Sequence, residues 1–198
     1  MKKLFYILII FTIGSVFSCA PLKKPTCEEK FLNIVKKSQE RNNVSSINGS
    51  VYAKGIILLF KVSLKKDINV DLFTPFGQKI AQFYQKGEKA CLKIRDNQIC
   101  GKYSDVYKEM FNEYIPFDLT GLITGKLPIS EKSSYSCENN SIKITDNDFT
   151  YLFYKNRLKE VEYKDFKLTY EYENDKPRRV VIKNHGNTLL KIFIRDIQ

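Results

Sequence analysis

Five cysteines and one histidine supply most of the reactive side chains of this 198-residue sequence, and their spacing limits the chemistry open to it. Cys19 stands apart. It follows Met1-Lys2-Lys3, a run of 14 apolar and small residues over 4–17, and Ser18. A charged start, an apolar stretch and a small residue at the junction are the parts of an export leader. Cleavage after Ser18 would make Cys19 the first residue, with its thiol open to acylation. The apolar run is shorter than the roughly 20 residues a bilayer span needs, so a leader is expected rather than a membrane helix. The other four cysteines, Cys27, Cys91, Cys100 and Cys137, are an even set in an exported chain, which reads as two disulfides. Three connectivities are open to them. Cys91 and Cys100 flank a segment, residues 92–99, that reads as a hairpin bringing them opposite each other. Their pairing leaves Cys27 to Cys137. Neither CxxC nor Cys/His spacing is present, so no metal is expected. His185 lies within Asn184-His185-Gly186-Asn187, a turn composition, and the sequence has no Gly-rich phosphate loop or nucleophile elbow. The expectation is a protein without catalytic residues or cofactor.

Val16-Phe17-Ser18-Cys19 resembles the lipobox of bacterial lipoproteins, whose cysteine is acylated before cleavage. Removing residues 1–18 leaves enough chain for one domain with a real core and too little for two. It also removes Lys2 and Lys3, taking the formal charge from +11 to +9. The basic residues are scattered through alternating segments, which describes solvated strand faces and does not suggest nucleic acid. Residues 19–26, with two prolines and no periodicity, read as a tether, and residues 27–198 as a single domain.

Residues 27–41 place Phe31, Ile34, Val35 and Ser38 at helical spacing, giving one N-terminal helix. Strands follow. Ile56, Leu58, Phe60, Val62 and Leu64 alternate with Ile57, Leu59, Lys61 and Ser63, a period of two with one strongly apolar face. Similar runs cover 68–74, 79–86 and 89–95. Ser104 can cap a helix carrying Val106, Tyr107, Met110, Phe111 and Tyr114 on one side, and a short helix fits 118–124. Strands return over 141–145, 149–155, 158–164, 166–173, 178–183 and 188–194, separated by turn residues such as Lys155-Asn156 and Asn174-Asp175. About ten antiparallel strands with a helical insertion are expected. Phe166, Leu168, Tyr170 and Tyr172 share one face of their strand, opposite Lys167, Thr169, Glu171 and Glu173.

Asp71-Leu72-Phe73-Thr74-Pro75-Phe76-Gly77 is similar to the strand-Pro-hydrophobe-Gly-strand loop of the LolB family of outer-membrane lipoprotein receptors. Ile115-Pro116-Phe117-Asp118-Leu119-Thr120-Gly121-Leu122-Ile123-Thr124-Gly125-Lys126-Leu127-Pro128 looks like that family's proline-led short helix. The resemblance implies an unclosed, strongly curved antiparallel β half-barrel of the kind shared with LolA, its helices covering a concave apolar face. It implies a monomer on the outer membrane, facing the periplasm, that takes acylated lipoprotein cargo from a LolA-like carrier and works against membrane phospholipid. Leu58, Phe60, Leu72, Leu119, Leu122, Phe153, Leu168 and Tyr170 would line the cavity, and Pro75, Phe76 and Gly77 would form a membrane-insertion loop. Two other readings stay open: a related lipid or glycolipid carrier, and a structural envelope lipoprotein with a filled core.

Acylation of Cys19 is directly testable. Metabolic labelling with a clickable fatty acid should mark the wild type and leave Cys19→Ser unmarked; equal labelling of both would contradict it.

Overall fold

The computed structural model describes residues 25–39, 45–64, 67–112, 114–115, 117–123, 127–174 and 176–197. The expected leader, Cys19 and all but the last two tether residues lie outside the described residues. Helix α1 (Cys27–Gln39) opens on a reciprocal cap. The Thr26 amide donates to Glu29 Oε2 at 2.8 Å and the Glu29 amide to Thr26 Oγ1 at 3.2 Å. Thr26 is therefore the capping residue of α1. Phe31, Ile34 and Val35, three and four residues apart, are buried as one stripe.

Strands β1 (Ser46–Ala53), β2 (Ile56–Ser63), β3 (Ile68–Phe73), β4 (Lys79–Lys86), β5 (Lys89–Ile94) and β6 (Asn97–Lys102) form one antiparallel meander. Helices α2 (Tyr103–Phe111) and α3 (Leu119–Ile123) follow. A second meander comprises β7 (Ser134–Glu138), β8 (Ser141–Asp146), β9 (Phe149–Tyr154), β10 (Arg157–Tyr163), β11 (Phe166–Glu173), β12 (Lys176–Asn184) and β13 (Asn187–Ile197). Pairing of β1 with β13 joins them into one sheet of 13 strands, with β6 and β7 as its edges. The turns use left-handed backbone in adjacent pairs, Lys54-Gly55, Lys155-Asn156 and His185-Gly186, which matches the twist of tightly joined strands.

Three expectations need correction. Among the described residues the strands number thirteen rather than about ten, because β1 and β7 carry too few apolar residues to stand out and β6 merges in sequence with its hairpin. Within β1, Gly49 sits at a register shift, where a Cβ would lie 2.1 Å from the Phe193 carbonyl oxygen and 2.6 Å from the Phe60 ring. The sheet is open as expected but not strongly curled: α1 to α3 and the segment leading into α3 occupy its apolar face, so the strands need not roll up to bury it. Ser104 is not the cap of α2. The chain passes from β6 straight into the helix, with Lys102 at the cap position and no side-chain cap bond, and Ser104 is buried inside the first turn.

The opposite face is wet, as the scattered charges suggested. Lys167 reaches Glu160 and Glu162, and Arg179 reaches Glu171. These exposed pairs contribute little to stability.

Both disulfides join the cysteines expected from the sequence. Cys91 and Cys100 are register partners across β5 and β6, with Cα atoms 4.1 Å apart. Cys27–Cys137 ties α1 to β7 across 110 residues of chain. Loop-closure entropy assigns roughly 5 kcal/mol to the long loop and roughly 3 to the short one. Denaturant unfolding should therefore show Cys27→Ser/Cys137→Ser to be less stable than Cys91→Ser/Cys100→Ser by about 2 kcal/mol.

Candidate functional site

Over the first meander the apolar face is incompletely filled. A cavity of about 400 Å³ lies between β1–β5 with β13 on one side and α2 and α3 on the other. The alternation of β2 sends Ile56, Leu58, Phe60 and Val62 into it, and Val70 and Leu72 of β3 stand beside them. Met110 and Phe111 of α2, with Leu119 and Ile123 of α3, form the facing wall. Lys54 and Glu109 are its charged members.

A polar knot holds that wall in place. Gln85 on β4, 2% exposed, accepts from the Tyr107 hydroxyl at 3.3 Å and donates through Nε2 to Asp118 Oδ1 and the Gly87 carbonyl, both at 3.1 Å. Asp118 Oδ1 also accepts from the Gly121 amide at 2.9 Å, fixing the first turn of α3. The Tyr107 ring stacks on Phe83 with centroids 5.7 Å apart. Helices α2 and α3 are thus anchored to β4 by hydrogen bonds made in low dielectric, where each is hard to replace with water.

The sequence-derived lining set divides in two. Leu58, Phe60, Leu72 and Leu119 meet on the cavity wall. Leu122, Phe153, Leu168 and Tyr170 are buried but do not line it. Leu122, three residues after Leu119, lies toward the second meander, where the Tyr170 hydroxyl donates to the Leu122 carbonyl at 3.3 Å. Burial pushes the Tyr170 phenol well above its usual range, keeping it a donor. Val51, Ile80, Ile94 and Ile192 also line the cavity, outside the set expected from the sequence. Their alternation is visible in the residues, but no local signal separates a lining side chain from a core one.

In the loop between β3 and β4, Thr74 accepts from the Gly77 amide and donates its own amide to Gln78, both at 2.9 Å. Gly77 takes φ +84°, and Phe76 is left 97% exposed. His185 stands on an exposed turn 3.6 Å from Asp165. Among the described residues no cluster of His, Cys, Asp and Glu is arranged to hold a metal.

An apolar cavity of roughly 150 Å³ takes one benzene. By the same filling, about 400 Å³ accommodates roughly sixteen carbons, the length of a single acyl chain. The arrangement can shelter a hydrocarbon by apolar burial, with polar groups kept to its edge.

No family model and no curated protein matches this chain. Among solved structures, a LolA superfamily protein from Nitrosomonas europaea superposes with a TM-score of 0.55 at 12% identity, over 85% of this chain and 92% of that one. An uncharacterized conserved protein from Thermus thermophilus gives 0.38 at 10% identity, over 87% of each chain, too low to carry an argument. The first likeness shows the fold alone: this chain and that protein share an architecture at low sequence identity.

If the cavity is the site of uptake, narrowing it should weaken binding without unfolding the protein. Val51→Phe should bind a fluorescent fatty acid roughly tenfold more weakly in titration, the equivalent of a modest overpacking penalty. Its far-UV circular dichroism should match the wild type.

Proposed function

We propose that this protein is a membrane-anchored lipoprotein of the LolB-like receptor type, which takes the acyl portion of a lipoprotein from a LolA-like periplasmic carrier and helps insert it into the outer membrane. The observation that carries this reading is the apolar cavity of about 400 Å³ on a LolA-superfamily-like fold. A filled core, as a purely structural lipoprotein would have, does not account for it. Keeping a chain of sixteen carbons out of water is worth on the order of 10 kcal/mol, at about 0.8 kcal/mol per CH₂. Such a chain does not cross an aqueous space unaided. Handover needs no cofactor, only a receiving site more favourable than the carrier's and less favourable than the bilayer.

The two disulfides and the charged-apolar start of the chain support an envelope location, and the sequence around Cys19 supports its anchorage. The resemblance of the loop at Pro75, Phe76 and Gly77 assigns it the delivery role, and the exposure of Phe76 fits that assignment. One Phe contributes about 1.5–3 kcal/mol on burial, enough to bias a tethered domain toward the bilayer but not to anchor it.

Room for one chain rather than several favours a second reading, a carrier of a smaller lipid. Mass spectrometry of lipid co-purified with the protein separates the two: acylated peptide supports the receptor, free phospholipid or glycolipid the carrier, and no bound lipid contradicts both. Phe76→Glu should leave unfolding free energy within about 0.5 kcal/mol of wild type, because the side chain is exposed. The same variant should deliver acylated cargo to vesicles poorly; normal delivery would remove the loop from the mechanism.

A further inference from the structure

The cavity opens at one end of the sheet. Along β2 the lining residues fall in exposure from 62% at Ile56 to 8% at Phe60 and 7% at Val62. Along β5 the gradient runs from 45% at Ile94 to 2% at Leu92. The registers place both open positions at the same end, since Leu59 pairs with Phe73, Phe73 with Lys79, and Ala81 with Ile94. The β1–β2 turn at Lys54-Gly55, the β3–β4 loop bearing Phe76 and the β5–β6 turn at Arg95-Asp96 therefore stand together around the mouth.

These three tips share a composition. Ile56, Ile57, Phe76 and Ile94 are all large, apolar and exposed. Lys54, Lys79, Lys93 and Arg95 lie among them, against the carboxylates Asp71, held by Lys79 at 2.6 Å, Asp96 and, on the cavity wall, Glu109. The other turns at this end, in the second meander, hold Asn147, Asp148, Lys164, Asp165, His185 and Gly186, and none contributes an exposed large apolar side chain. Apolar tips set among excess cations match a bilayer carrying anionic lipid: the tips enter the headgroup boundary while the lysines and arginine meet phosphate.

We propose that this end is a docking surface for anionic phospholipid bilayers, pressing the cavity mouth onto the membrane so that a chain passes between bilayer and cavity without entering water. The inference rests on reading the cavity as an acyl-chain site and extends the contact from Phe76 to Ile56, Ile57, Ile94 and the cations around them. Tether length is compatible. Cys19 and Cys27 are eight residues apart, a reach of at most about 29 Å when extended. Cys27 is bonded to Cys137, which pairs with Ile142 toward the opposite end of β8, and the roughly 10 Å along β7 back to Ser134 at the mouth end is within that reach.

The sequence contains no tryptophan, so one introduced tryptophan reports without background. Full-length protein carrying Ile56→Trp, Phe76→Trp or Ile94→Trp would be reconstituted into phosphatidylcholine–phosphatidylglycerol vesicles with brominated acyl chains. Tyr154→Trp, exposed at the opposite end of β9, serves as control. The first three should lose most of their emission and the control should keep it. The loss should shrink when phosphatidylglycerol is replaced by phosphatidylcholine or when salt is raised. Quenching confined to Phe76→Trp, equal quenching at Tyr154→Trp, or the same loss in neutral vesicles would overturn the proposal. Circular dichroism confirms folding, and Arg95→Trp replaces Ile94→Trp if that variant is perturbed. The outcome is separable from the function proposed above. Co-purified acyl chains without quenching overturn the docking surface alone, whereas quenching with no bound chain overturns the acyl-site reading.

Discussion

An open sheet of 13 strands presents more apolar face than the three helices among the described residues fill, and the rest of the molecule follows from how that shortfall is met. Taking apolar surface out of water is the main favourable term in folding, so uncovered face must be covered, filled or used. Over the second meander it is filled. Phe117, on the segment leading into α3, packs against Phe149, Tyr163 and Phe166 with centroids 5.4–6.0 Å apart. Over the first meander α2 and α3 stand off from the strands, and the space beneath them is the cavity.

That asymmetry depends on a few polar contacts inside an otherwise greasy layer. Gln85 collects a tyrosine hydroxyl, a backbone carbonyl and an aspartate at one point of β4, so α2 and the start of α3 share a single fixed support. A purely apolar contact there could slide inward and close the void. Satisfied polar groups in low dielectric resist such drift, because moving them costs bonds that nothing apolar replaces. These polar residues hold in place the two helices that form the cavity's facing wall.

Much of this was legible in the residues, for reasons of period. The alternation of Ile56 to Leu64 gave β2 its correct face, and Phe166, Leu168 and Tyr170 gave β11 its own. The hairpin between Cys91 and Cys100 gave a disulfide by geometry and the other by elimination. What stayed hidden depends on the whole sheet. Period two says which side a residue faces but not how far the sheet bends, so strong curvature was expected where little exists. β1 stayed hidden because Gly49 interrupts a sparse pattern for the sake of close backbone approach to Phe193. Leu119 and Leu122 look alike in sequence, yet one lines the cavity and the other packs in the core, a division made by the placement of α3 between two meanders. At 12% identity to a protein of similar architecture, this is the expected situation: the arrangement constrains pattern far more than residue identity.

The joint between β1 and β13 has a consequence for the order in which the molecule can be assembled. Every other neighbouring pair of strands is consecutive along the chain and joined by a short turn, so each meander can form as its residues become available. Ile47, by contrast, waits for Ile197, almost the whole length of the domain later. A chain made from its first residue onward therefore spends its synthesis with β1 as a bare edge and the first meander's greasy side half sheltered, which is the state most prone to wrong partners. The 11 residues of β13, which follow every other strand in the chain, are the ones that join the two halves of the sheet. Loss of that strand would break the sheet in two, leaving the halves held by the helical layer and the Cys27–Cys137 bond instead of by strand pairing.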